Sequence, residues 1–136
     1  MTEPEGRYTI LHTESSLGWG GQEHRILLEA GVLRERGHRL LLAADPRGEL
    51  FRRGRDRGFQ VVPLCFRQKI KAGLALRRLL GEVQVDILNT HSSLDSWVGT
   101  LAWASLRSRP VLVRTRHLST PVNPNLFTRW LYHAPA

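Results

Sequence analysis

Short apolar runs of strand length recur along the chain with helix-length segments between them, and this alternation most narrows what the chain can fold into. The runs are Tyr8–Leu11, Leu40–Ala44, Phe59–Leu64, Val85–Asn89 and Val111–Arg114. The expected helices are Gln22–Arg36, Gly48–Arg57, Ala72–Leu80 and a segment that opens at Thr90–Ser93 and runs to Leu106. In the first of them Ile26, Leu27, Ala30 and Leu33 recur at helical spacing, and Gly37 sits where a left-handed cap would stop it. Asp45 is expected to cap the second helix, with Gly58 ending it and Gly81 ending the third. Pro63 marks the end of a strand or an edge strand, and Arg67–Lys71 reads as a basic loop. Strands that are apolar throughout, rather than alternating, are those covered by helices on both faces. Right-handed crossovers then give an α/β fold with a doubly wound, mostly parallel, Rossmann-like sheet. The 136 residues suit one domain, with no internal repeat. The last amphipathic stretch, Leu126–Tyr132, is followed by His133–Ala136 without a cap or closing strand, as expected of a truncated domain.

Charge limits the partners. The formal net charge is +8, and 18 of the 20 basic residues are arginine. Such a surface attracts anions, or merely solvates the fold. Its distribution is uneven: no carboxylate follows Asp95, whereas Arg107, Arg109, Arg114, Arg116 and Arg129 do. Cys65 is the only cysteine, which excludes an internal disulfide framework or cysteine zinc cluster and fits a reducing compartment. The polar start Met1–Arg7 is not a secretory signal, and no run of about 18 apolar residues is present to span a bilayer.

In an open parallel sheet, ligands bind beyond the carboxyl ends of the strands. His12, Ser15, Ser16, Gly18, Gly20 and Gly21 follow the first strand, and Asp45 follows the second. Thr90, His91, Ser92 and Ser93 follow the fourth, and Thr115, Arg116 and His117 the fifth. The loop Gly18-Trp19-Gly20-Gly21 opening a helix offers close backbone approach and free N–H groups to an anion, or is a flexible turn. It is neither a dinucleotide fingerprint, since Glu23 stands at the third glycine position, nor a Walker loop. An imidazole at His91 can bond a sugar hydroxyl or move a proton; alternatively it is a helix-entry histidine bonded to backbone. Asp95, four residues on, either orients it or faces solvent. Arg114, Arg116 and His117 suit a phosphate or carboxylate, or form a solvated basic loop. His24 lies near the same rim and is equally ambiguous, whereas His38 lies at the opposite end and reads as structural. Ser92 and Ser93 lack a nucleophile elbow. No histidine pair has zinc spacing with a third ligand. Cys65 has no evident base. Trp97 and Trp103 read as core or interface.

Three stretches together carry a resemblance: Gly20-Gly21-Gln22-Glu23-His24-Arg25 through Leu33 to Gly37-His38, then Val85–Ser93, then Pro110–His117. In this order and spacing, over about Tyr8 to His117, the chain resembles the family 4-like N-terminal domain of GT-B glycosyltransferases. The resemblance implies two Rossmann-like domains facing a cleft. The C-terminal one holds most of the nucleotide-sugar donor and a paired-glutamate motif; the N-terminal one builds the acceptor site. On that analogy residues 1–136 are the acceptor-side domain, and the donor half lies in a further domain or a separate chain. His91 would be the catalytic candidate, against the transferred sugar or acceptor. Gly20 and Gly21 would approach donor phosphates or acceptor, with Glu23, His24, Ser92 and Arg114 along the same site and Arg116 and His117 on its acceptor side. The family is usually metal-independent and often retaining, so no cofactor is expected beyond the nucleotide-sugar substrate. It commonly works at the cytoplasmic face of membranes on lipid-linked or cell-envelope glycans, and Arg67–Lys71 would suit an anionic membrane surface. The competing expectation is a non-catalytic basic α/β module for nucleic acid or acidic lipid. Arginines spread over several helices, without a nucleic-acid motif, weigh against nucleic acid.

Overall fold

The structure, a computed structural model, describes residues 6–115. Nine elements follow in strict alternation: β1 Thr9–Glu14, α1 Gly21–Glu35, β2 Arg39–Ala44, α2 Glu49–Asp56, β3 Gln60–Pro63, α3 Lys69–Val83, β4 Ile87–Thr90, α4 Ser93–Ala104 and β5 Val111–Arg114. All four strand pairings are parallel, in the order β3-β2-β1-β4-β5. The chain winds outward from β1 to β3, crosses back, and resumes at β4. The topological switch point therefore lies between β1 and β4, where such sheets bind ligands.

Side-chain alternation explains the two layers. Leu11, Leu41, Ala43 and Leu88 face α3 and α4, packing with Leu76, Leu80, Val98 and Ala102. Ile10, Leu40, Leu42 and Ala44 point the other way, onto Ile26, Leu27 and Ala30 of α1 and Leu50 of α2. Glycine at position 99 sets the helix–strand approach: a Cβ there would lie 2.9 Å from Thr90 Cγ2, so its absence lets α4 descend onto β4.

Several expectations are corrected. The strands are not apolar throughout: β1 ends in the buried polar residues His12, Thr13 and Glu14, and the edge strands β3 and β5 are largely exposed or half-buried. Asp45 does not cap α2. Gly48 holds that position, and Asp45 instead accepts from the Arg47 amide and guanidinium. The basic stretch Arg67–Lys71 is not all loop, because α3 begins at Lys69. Nor does Gly81 stop α3, which runs on to Val83 before Gln84 takes the left-handed conformation at φ 56°. Leu126–Tyr132 lies outside the described residues.

Candidate functional site

The C-terminal ends of β1 and β4 adjoin, and their polar residues interlock. β1 extends past its apolar run because its last three side chains find partners. Glu14 is fully buried; its carboxylate accepts from the amides of Ser15 at 2.8 Å and Ser16 at 3.0 Å, and from the Gln22 side-chain amide. The first free amides of the β1–α1 loop are thus already taken by an internal anion.

Thr13 donates to Asp95 Oδ2 at 2.6 Å, tying β1 to α4. Asp95 is fully buried. It also accepts from the His91 amide at 3.0 Å, the Ser92 amide at 2.9 Å and the Ser92 hydroxyl. Ser92 is the N-cap of α4 with Asp95 three residues on, a capping box whose carboxylate reaches across to the neighbouring strand. Asp95 therefore orients His91 through its backbone rather than its ring. Burial pushes the Asp95 carboxyl up to about 6, while the Ser92 and Thr13 hydroxyls and the His91 amide pull it back.

The His91 ring is buried, with Nε2 2.9 Å from Nδ1 of His12. The two rings stack at 5.1 Å between centroids. Burial lowers His12 to about 4, so it is neutral at physiological pH. The hydroxyls of Ser15 and Ser92 are bonded across the mouth, joining the two loops.

The helix start of α1 is only partly available. Glu23 turns back to accept from the Gly20 amide at 2.9 Å, so this buried carboxylate serves its own helix end. Gly20 and Gly21 are exposed, and a Cβ at Gly21 would meet nothing within 4 Å: open space stands over this turn. His24 is exposed and packs edge-on against Trp19, whose ring lies under the Arg53 guanidinium at 4.0 Å. The loop is braced from below. A Cβ on Gly48 would stand 3.1 Å from Ser16 O and 3.2 Å from Leu17 Cα, and the Glu49 amide donates to Leu17 O at 3.2 Å. The exposed Arg47 guanidinium beside Asp45 holds that carboxyl at about 2, well below the usual carboxylate range.

The structure thus brings His91 and Ser92 together with Gly20 and Gly21 around the switch point, and adds His12, Thr13, Glu14 and Asp95. Arg114 closes β5 opposite Thr90, and its Nε lies 3.4 Å from Thr100 Oγ1 of α4. Arg116 and His117 lie outside the described residues. Thr13 and Glu14 carry the one signal that sequence reading passed over, two polar residues closing a central strand.

The fold has counterparts among known proteins. No curated protein matches the chain. Among solved structures, MurG from Acinetobacter baumannii superposes with a TM-score of 0.75 at 16% identity, over 95% of this chain and 40% of that one. A glycosyltransferase from Rickettsia africae ESF-5 gives 0.72 at 18% identity, over 91% of this chain and 33% of that one. The glycosyltransferase VinC, solved in complex with DTDP, gives 0.59 at 15% identity, over 79% and 34%. The chain therefore spans 40% or less of the length of these enzymes, and their likeness is one of fold. The Glycosyltransferase Family 4 model matches residues 19–136, most of the chain, and the chain belongs to that family.

Proposed function

We propose that this domain is the acceptor-side half of a glycosyltransferase that moves a sugar from a nucleotide-sugar donor to a glycan or lipid-linked acceptor. One observation carries the reading. The side chains of β1 and the β4–α4 junction converge at the sheet's switch point, at the end of β1 from which the chain leads into the open Gly20-Gly21 turn, in a chain of this family. In sugar transfer the bond from the anomeric carbon to the nucleotide phosphate breaks, a bond to an acceptor hydroxyl forms, and that hydroxyl loses its proton. In this reading His91 would bond the transferred sugar or acceptor, from a loop whose amides are held by Asp95. The exposed amide edge at Gly20 and Gly21 would approach the phosphates or the acceptor. The donor nucleotide would be held chiefly by a second half; VinC, which shares the fold, is solved in complex with DTDP. No metal or other cofactor enters this reading. A sugar nucleotide titrated into this chain should therefore bind weakly and perturb the rim amides.

A contact with an anionic membrane belongs to the same reading. Between α3 and α4 runs an open groove of about 900 Å³, lined by Ile70, Leu74, Leu94, Trp97, Val98 and Leu101 and flanked by Lys69 and Arg77. Ile70 is 82% exposed and Leu74 64%. Apolar side chains among cations suit the headgroup–acyl boundary of an acidic bilayer. Among the described residues no helix is long and apolar enough to cross the membrane. In co-sedimentation, phosphatidylglycerol vesicles should bind the chain, and Ile70→Glu with Leu74→Glu should weaken binding more than tenfold, since each apolar side chain is worth about 1.5–3 kcal/mol on burial. Equal binding by the double variant would remove the groove from this role.

A further inference from the structure

Two imidazoles meet in the interior where β1 and β4 end, and their hydrogen bond has a direction. His12 Nδ1 and His91 Nε2 are 2.9 Å apart, so one hydrogen lies between them, covalently held by one of the two. Both rings are buried. The other nitrogen of His12, Nε2, has no hydrogen-bond partner among the described residues. If His91 held the shared hydrogen, a neutral His12 would carry its own on Nε2, a buried N–H with no acceptor. If His12 holds it on Nδ1, Nε2 is a bare acceptor instead. Buried donors without a partner are the rarer defect. The second arrangement is therefore favoured, and burial keeps His12 in the neutral form it requires.

We propose that His12 is a positioning residue: it donates its Nδ1–H to Nε2 of His91 and so fixes His91 as the Nδ1–H tautomer. The lone pair of His91 Nε2 is then committed to His12. His91 does not take a proton from an acceptor hydroxyl through that atom, and its remaining polar hydrogen is the one on Nδ1. The consequence for sugar transfer rests on the role given to His91 above; the tautomer itself does not.

Histidine-ring 15N NMR of the 136-residue chain near neutral pH reads the tautomer directly, with His91 assigned through His91→Gln. The wild type should show His91 protonated on Nδ1. His12→Asn places an amide donor near the position of Nδ1 and should keep that state. His12→Phe removes it and should move His91 to the Nε2–H form that free imidazoles favour, or to an exchange average. Where His12→Phe does not fold, His12→Gln serves, because its amide reaches the position of Nε2 rather than Nδ1. A wild-type His91 protonated on Nε2, or ring shifts of His91 indifferent to the loss of the Nδ1 donor in His12→Phe or His12→Gln, would overturn the assignment. Separately, a His91→Ala chain whose rim amides still respond fully to sugar nucleotide would sink the role of His91 while leaving the tautomer assignment standing.

Discussion

Asp95→Ala should lower the stability of this domain by about 3 kcal/mol and its melting temperature by on the order of 10 °C. Asp95 is the one acceptor shared by Thr13 of β1 and by the amides of His91 and Ser92. Alanine leaves the Thr13 hydroxyl and the His91 amide buried without a partner, at about 1–3 kcal/mol each. It also removes half of the capping box of α4, worth about 1 kcal/mol. Loss of the carboxylate's own desolvation offsets part of this sum. Asp95→Asn should cost less: its oxygen keeps one set of donors, and the hydroxyls of Thr13 and Ser92 can turn to accept from its amide, whereas a backbone N–H cannot. Chemical denaturation of the two variants checks the order. An alanine variant within about 1 kcal/mol of wild type would mean that this network does not hold the site together.

The second large effect is hidden in the wild type and exposed by substitution. His12 titrates at about 4 in the folded chain against an ordinary 6.5. Between those values the unfolded chain binds more protons at this residue, so its contribution to stability rises with pH from about 4 to 6.5. Asp95 titrates at about 6 against 3.8. There the folded chain binds more protons, and the contribution falls as pH rises from about 4 to 6. Each amounts to about 3 kcal/mol at 1.36 kcal/mol per pKa unit, with opposite signs over nearly the same window. The wild type should therefore be nearly flat in stability between pH 4 and 6 as far as these two groups decide it. Asp95→Asn should unmask the His12 slope, gaining stability as pH rises. His12→Asn should unmask the Asp95 slope, losing stability as pH rises. Unfolding midpoints measured across that window test both signs, and two variants with the same slope as wild type would contradict the burial of these groups as ionisable partners.

The fold was largely legible because its central strands are buried on both faces. The apolar run Leu40–Ala44 falls within one residue of β2. Legibility fails where burial stops being the rule. The edge strands β3 and β5 each have a neighbour on one side only, so they are half-exposed and their apolar character marks them less well. The start of α3 was hidden by Lys69 and Lys71, which look like loop residues by charge yet are good helix formers. Its end was misplaced because a left-handed cap was assigned to glycine, whereas Gln84 adopts it. The site shows the same division. His91 and Ser92 were put at the sheet's switch point by a rule about strand ends. The pairing of His91 with His12, 79 residues earlier, depends on β1 lying beside β4, and one sequence carries no sign of strand order. Arg114 was placed at the rim from its position at a strand end, and its contact with Thr100 of α4 has no signal in the sequence.

The central claim is that this domain forms one wall of a sugar-transfer cleft, opening at the ends of β1 and β4. Its most direct test is an amide-resolved NMR titration of the 136-residue chain with a sugar nucleotide. The account predicts a Kd of roughly 1 mM, about −4 kcal/mol, because the donor's nucleotide belongs mainly to the other half. It also predicts shifts gathered at Gly18–Gly21 and Thr90–Ser92. Submicromolar binding, or shifts confined to a surface away from that rim, would contradict it.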